Sequence, residues 1–472
     1  MKTVLTYNFE EKDIEDADFE ALYTKRRRDS SFAFVYEKDG DTYALRDHLG
    51  IVPLFYCRTA EGLRFSTDLG SLPHTGALSR EGLRTYLALA STKLVPLVEG
   101  IKIVPPGTVL RIAHDGSESI VYRYSVSPRQ ISIFKSFGSL VAELDEMFMA
   151  AMARQARESS AGVYLSGGID SGLIAIYLQR LGIPFTAFSS LTRGSEDAEK
   201  PYIDINVKVS RPKETHEVVL AGAYEDLARR SIPLYKQPTG NLTSLAICNL
   251  WENAPLASQE RIFLGQNSDV INNAMDNHYV GVFGGLLPQS LTRDRLAAML
   301  GRYLSKHTGG MLDTDPIDLA STYGSSRLTS FQLVALAGMF LSRTPTDGEI
   351  MAQPAINLGI PIGNPYYDMD IVEFLMGLRL IHKLRFGKDL HVPVSLDKRV
   401  LQALALQNGL PKELVYRKKG FTVPRQGTLR PFFDSLPTSS FGISCRTDAE
   451  RFAAHSLNLY GAWRNTKFTL ST

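Results

Sequence analysis

Residues Leu165-Ser166-Gly167-Gly168-Ile169-Asp170-Ser171-Gly172 decide the fold. The apolar run before them, Ala161 to Leu165, reads as a short buried strand. Leu173 to Leu181 carries apolar side chains at helical spacing until Gly182 and Pro184 stop it. The order is strand, small-residue loop, helix. Gly167 and Gly168 let the backbone approach a ligand closely. Ser166 and Ser171 supply hydroxyls, and the helix N-terminus supplies free amides and partial positive charge. Together these make an anion cradle suited to phosphates. There is no Lys of the Gly-x-x-x-x-Gly-Lys-Ser/Thr kind, so this is not a Walker loop. Asp170 in such a cradle would repel phosphate unless a cation lies between them, which suggests Mg²⁺.

The Ser-Gly-Gly-x-Asp-Ser string is similar to the PP-loop of ATP-pyrophosphatases. Within that superfamily the chain resembles the asparagine synthetase and β-lactam synthetase family. The resemblance implies an ATP site built from Leu165, Ser166, Gly167, Gly168, Asp170, Ser171, Ser189 and Gly265. Downstream, Ile262-Phe263-Leu264-Gly265-Gln266-Asn267-Ser268-Asp269 again runs from an apolar strand into a small polar turn. In the family the Asp of this turn shares the magnesium with the PP-loop Asp, so Asp170 and Asp269 are the expected metal ligands. Two carboxylates and phosphate oxygens suit a six-oxygen shell. An Asp capping the next helix is the plainer alternative. Gln266 stands where the family has Glu or Tyr, so the residue expected to help deprotonate the nucleophile is altered.

Two later segments extend the resemblance. Asn364-Pro365-Tyr366-Tyr367-Asp368 is similar to the family's "PFLD" form, and the spacing from Glu349 to Pro365 resembles that from the catalytic Glu of β-lactam synthetases. Glu349 is therefore an expected catalytic residue in what reads as a polar loop. Leu410-Pro411, followed by Arg417-Lys418-Lys419-Gly420-Phe421-Thr422-Val423-Pro424, closely resembles "LPxxLxxRxKxGFxVP". This implies that Lys418 lies over the ATP phosphates. A basic run is otherwise usually a solvated face.

Residues 1 to about 125 read as β-rich. Ser31 to Tyr36 and Thr42 to Arg46 flank the turn Lys38-Asp39-Gly40-Asp41, a hairpin, and Ile51 to Cys57 and Leu63 to Ser66 continue the pattern. Ala44-Leu45-Arg46-Asp47-His48-Leu49-Gly50-Ile51-Val52-Pro53-Leu54-Phe55-Tyr56 is similar to a segment of class II glutamine amidotransferase domains. Their nucleophile, a Cys after the initiator Met, is Lys2 here, and no Cys precedes Cys57. This region is expected to be a trimmed scaffold that makes no ammonia from glutamine. Residues 126 to 137 read as a linker. After the PP-loop, Phe185 to Ser190 and His216 to Leu220 read as further strands, Tyr202 to Ser210 as amphipathic, and Gln237 to Asn241 as a strand end. Arg293 to Ser305 and Phe331 to Ser342 read as helices.

Composition excludes several classes. With 52 basic and 50 acidic residues, net charge is +2, which gives no reason to expect a nucleic-acid or membrane-surface partner. Cys57, Cys248 and Cys445 are too few and scattered for a disulfide framework or zinc site. No apolar run reaches membrane-spanning length and no signal peptide opens the chain, so a cytoplasmic location is expected.

The expected architecture is α/β. A trimmed N-terminal β-rich domain (1–125) precedes a doubly wound parallel-sheet synthetase domain (138–472) with helical additions. The resemblance implies an ATP- and Mg²⁺-dependent ligase in a specialised pathway. It would adenylate a small-molecule carboxylate, release pyrophosphate and form an amide with an amine, within one substrate or between two. A lasso-peptide-type macrolactam cyclase, an ammonia-dependent asparagine synthetase and an inactive structural homologue are the alternatives. A homodimer is left open.

Overall fold

The structure, a computed structural model, describes residues 1–14, 18–28, 31–156, 160–193, 196–220, 224–272, 322–324, 328–341, 343–386, 394–416 and 430–470. The N-terminal strands are β1 Lys2–Tyr7, β2 Ala33–Lys38, β3 Asp41–Arg46, β4 Phe55–Thr59, β5 Gly62–Ser66, β6 Ala77–Leu78, β7 Ile101–Ile103, β8 Thr108–Ile112 and β9 Glu118–Arg123. They form two larger antiparallel sheets, in the orders β1-β2-β3-β8-β9 and β5-β4-β7. The expected β2–β3 hairpin is present. Asp39 and Gly40 both take positive φ (54° and 84°), the conformation a two-residue turn needs to match strand twist.

The segment expected to be strand from Ile51 starts only at Phe55. The amides of Leu49, Ile51 and Val52 are taken instead by the Asp47 carboxylate, at 3.2, 2.9 and 2.9 Å. Beside it, the buried Arg46 guanidinium donates to the carbonyls of Val52, Val104 and Gly50 at 2.7–2.8 Å. The amidotransferase-like segment therefore ties a knot of backbone whose polar groups are satisfied internally.

Five strands make the second large sheet: β10 Ala161–Tyr164, β11 Phe185–Thr192, β12 Glu214–Leu220, β13 Arg261–Phe263 and β14 Ile362–Gly363. All pairings are parallel and the order is β12-β11-β10-β13-β14. The chain moves outward from β10 to β12, then returns to the other side of β10. Strand order thus reverses between β10 and β13, where an open α/β sheet forms its ligand crevice at the carboxyl ends. Helix Ile169–Arg180 follows β10 and is buried from Ser171 through Leu178, so its apolar run is core on every side.

The two regions share their interior. One core cluster joins Leu49, Val104 and Leu110 with Val163, Leu173 and Phe263. A second joins Leu83 and Tyr86 of helix Arg80–Leu89 with Leu245, Phe452 and Leu457. The C-terminal strand Thr469–Leu470 even pairs with β6.

Two expectations are corrected. Gln237 to Asn241 follows a helix, Tyr224–Tyr235, not a strand. The stretch around Glu349 is no polar loop but part of helix Arg343–Asn357, because its polar side chains find buried partners rather than water. The helix expected over Phe331 to Ser342 is found at Ser330–Leu341, whereas Arg293 to Ser305 lies outside the described residues. Among the described residues no helix is long and apolar enough to cross a membrane.

Candidate active site

At the crevice lies a cavity of about 490 Å³ lined by Leu165, Ser166, Gly168, Asp170, Ser171, Gly265, Gln266 and Asp269, among others. Eight of the residues picked out from sequence thus converge although they lie in two segments. The PP-loop is held by its own hydroxyls. Ser171 Oγ accepts from the Ser166 amide at 3.0 Å, and Ser166 Oγ accepts from the Gly168 amide at 3.2 Å. Asn206 Nδ2 donates to the carbonyls of Ser166 and Gly168 at 2.7 and 3.1 Å.

Gly265 is required by space. A Cβ there would lie 3.1 Å from the Ser171 amide nitrogen, inside the cradle. After it, Asn267 takes φ 74° and is fixed on both sides, donating to the Tyr366 carbonyl at 2.7 Å and accepting from Thr344 Oγ1 at 2.7 Å. Gln266 is thereby aimed at the cavity, and its Oε1 is a buried atom without a hydrogen-bond partner. An amide is no base, so Gln266 can orient a substrate but cannot take its proton.

The centre of charge is Lys398, at the start of helix Arg399–Gln407. Its buried ammonium lies 2.6 Å from Asp170 Oδ2 and 2.9 Å from Asp269 Oδ1. The other Asp170 oxygen accepts from Ser268 Oγ at 2.7 Å. Burial works against the Lys398 charge, but the two carboxylates outweigh it and hold the lysine above its ordinary pKa. Burial likewise pushes Asp170 up, opposed by Lys398. Sequence reasoning assigns Lys398 no role. Lys398 lies between Asp397 and Arg399 at the start of an apolar helix, and this setting carries no local sign that its partners are more than 100 positions away.

Asp170 and Asp269 converge on one cation position, so the metal expectation can be tested on donor chemistry. They are two hard oxygen donors next to a phosphate cradle. Among the described residues, no third His, Cys, Asp or Glu joins them. That set fits Mg²⁺, which binds through one or two carboxylates plus phosphate and water oxygens, better than a cation needing an all-protein cage. The lining residues Asp170, Glu199, Asp269, Asp347 and Asp397 also far outnumber the one described cation, Lys398. A polyphosphate needs further positive charge to bind here.

Three expected site residues differ in position. Ser189 is buried with its Oγ on the Leu165 carbonyl at 2.7 Å, tying β11 to the loop, while its neighbour Ser190 lines the cavity. Gly167 is buried beneath the turn. Glu349 does not line the cavity. Its carboxylate accepts from Ser91 Oγ (2.7 Å), the Thr92 amide (3.0 Å), Thr92 Oγ1 (2.9 Å) and Gln237 Nε2 (2.6 Å). These hydrogen bonds tie the carboxylate to the Ser91–Thr92 segment and to Gln237 rather than to the cavity. Asp347, on the same helix, reaches the cavity instead. Lys418 lies outside the described residues.

The class defined here is an open parallel α/β fold with a glycine- and serine-rich anion cradle at its strand-order reversal. Comparison with known proteins adds a family resemblance. The Asparagine synthase family matches residues 143–306, and the Glutamine amidotransferase domain family matches residues 23–124. Asparagine synthetase [glutamine-hydrolyzing] 3 of Bacillus subtilis is 29% identical over 152 residues, 30% of this chain and 24% of that protein. Carboxyethyl-arginine beta-lactam-synthase of Streptomyces clavuligerus is 23% identical over 415 residues, 87% of this chain and 67% of that protein. The chain therefore spans about a quarter of the first relative and two thirds of the second. Over these segments the chain is similar to the asparagine synthetase and β-lactam synthetase family. The solved NMN synthetase of Francisella tularensis matches 47% of this chain and 94% of its own at 16% identity, with a TM-score of 0.22 that adds nothing to the fold already described.

Proposed function

We propose that the protein is an ATP-dependent ligase that adenylates a carboxylate, releases pyrophosphate and joins the acyl group to an amine whose nitrogen does not come from glutamine. One observation carries this reading: Asp170 and Asp269 meet on Lys398 beside an anion-cradling loop. A carboxylate is a poor acyl donor. Its oxygen attacks the α-phosphorus, the bond from that phosphorus to the bridging oxygen breaks, and pyrophosphate leaves. The amine nitrogen then attacks the acyl carbon, AMP departs with the electron pair of the acyl C–O bond, and the amine gives up a proton.

The PP-loop amides and hydroxyls bind the phosphates, and Lys398 and Lys418 counter the charge that grows on the leaving group. Asp170 and Asp269 would hold Mg²⁺ in exchange for their pairing with Lys398, and the ion would supply the remaining positive charge. Asp347 is assigned the amine proton, because it is the carboxylate of helix Arg343–Asn357 that faces the cavity. Glutamine is not the nitrogen source. All three cysteines are buried and burial raises their thiols, so none is an available nucleophile. We favour an intramolecular amine, as the name of the Streptomyces clavuligerus relative indicates for that protein.

The test is pyrophosphate release with ATP and Mg²⁺ across a panel of amino-carboxylates, with product mass spectrometry. AMP, pyrophosphate and a product lighter by one water are expected, with no glutamate from glutamine. Release of ADP and phosphate, or glutamine hydrolysis, would overturn the reading.

A further inference from the structure

Helix Arg343–Asn357 has two working faces. Asp347, Ile350 and Met351 line the cavity. Thr346, Glu349 and Gln353, spaced three and four residues apart on the adjoining face, are all bound to the N-terminal region. Thr346 Oγ1 donates to the Leu89 carbonyl at 2.8 Å, and Gln353 Nε2 donates to the Thr67 carbonyl at 2.8 Å. Between them Glu349, 2% exposed, takes three hydrogen bonds from Ser91 and Thr92 and one from Gln237. The next residue, Lys93, is buried and donates to the Ile51 carbonyl at 2.7 Å, which carries the clamp into the Asp47 knot.

We infer that the N-terminal region is the jig that sets this wall of the cavity, with Glu349 as the positioning residue that fixes helix Arg343–Asn357 to the Ser91–Lys93 segment. The physical ground is the cost of the alternative. Any shift of the helix away from this segment strands a buried carboxylate and two buried hydroxyls, so the wall is held in one register. A region with no available thiol nucleophile thereby keeps a direct hold on the synthetase site. This does not depend on which carboxylate or amine the enzyme uses.

The test needs no substrate. Met351→Cys places a thiol on the cavity wall, and the three native cysteines are buried. Alkylation of this variant by iodoacetamide, read by mass spectrometry, reports opening of the wall. Adding Ser91→Ala and Thr92→Val removes two donors to Glu349 and keeps most of the shape. The expected result is alkylation at least about ten-fold faster, from two lost hydrogen bonds to a charged group. Tyr7→Phe is the control. It removes another buried contact between the regions, the 2.8 Å bond to the Ile360 carbonyl, without touching this helix face, and should leave the rate unchanged. If the double variant fails to fold, Glu349→Gln replaces it. An unchanged rate in the variant used, or an equal rise in the Tyr7→Phe control, would overturn the inference.

Discussion

Lys398 Nζ and Asp170 Oδ2 lie 2.6 Å apart, joining the start of a C-terminal helix to the phosphate-cradling loop 228 positions earlier. Asp269 completes the bridge from a third element. A buried ion triad of this kind costs desolvation energy, so its value lies in what it can exchange with a ligand rather than in stability.

Lys398→Met should lower kcat for pyrophosphate release by about 10² to 10³, by analogy with deleting one charge-stabilising donor. It also leaves Asp170 and Asp269 facing each other without a cation. Mg²⁺ should then raise the melting temperature of the variant more than that of the wild type, since a ligand stabilises by mass action. Thermal melts with and without Mg²⁺ decide this, and an equal shift in both proteins would count against a shared cation position.

Asp170→Asn and Asp269→Asn should both abolish Mg²⁺-dependent turnover, because an amide is a far weaker magnesium ligand. They should differ in stability. Asp170 is the more buried partner and also accepts from Ser268. Its loss should cost roughly 1–3 kcal/mol and that of Asp269 less. Chemical denaturation of the two variants checks the order.

Gly265→Ala should weaken ATP binding by about ten- to a hundred-fold, corresponding to roughly 1–3 kcal/mol of overpacking. The new methyl would sit against the Ser171 amide that faces the cavity. Isothermal titration with ATP measures the loss, and affinity equal to wild type would show that the phosphates bind elsewhere.

His48 should make the protein acid-sensitive. It is buried, donates from Nε2 to the Tyr23 carbonyl at 2.9 Å, and burial lowers its pKa to about 3, with Arg26 and Arg27 adding to the effect. A depressed folded-state pKa gives stability that is present above the unfolded value near 6.5 and lost as pH falls toward 3. The slope is about 1.4 kcal/mol per pH unit. Burial raises the neighbouring Asp47 to about 6, a shift of opposite sign, so the reading must be a difference between proteins. The stability gap between wild type and His48→Gln should narrow as pH drops from about 7 to 5. A constant gap would mean that His48 is not buried neutral.

Much of the site was legible in the sequence because its information is local. Ser166-Gly167-Gly168-x-Asp170-Ser171 states its own backbone needs, and Gly265 before a polar turn states another. The β2–β3 hairpin is announced by Asp39-Gly40 for the same reason. Tertiary structure decided what depends on partners far along the chain. Asp347 and Glu349 share one helix two residues apart, and helical geometry turns one carboxylate to the cavity and the other to Ser91 and Thr92. Spacing to Pro365 cannot distinguish them. Nor can local sequence show that Lys398 is enclosed by two loops from elsewhere. The motif fixed which backbone could cradle a phosphate. Folding fixed which charges face it, because charge placement depends on burial and on neighbours that only chain packing brings within a few ångströms.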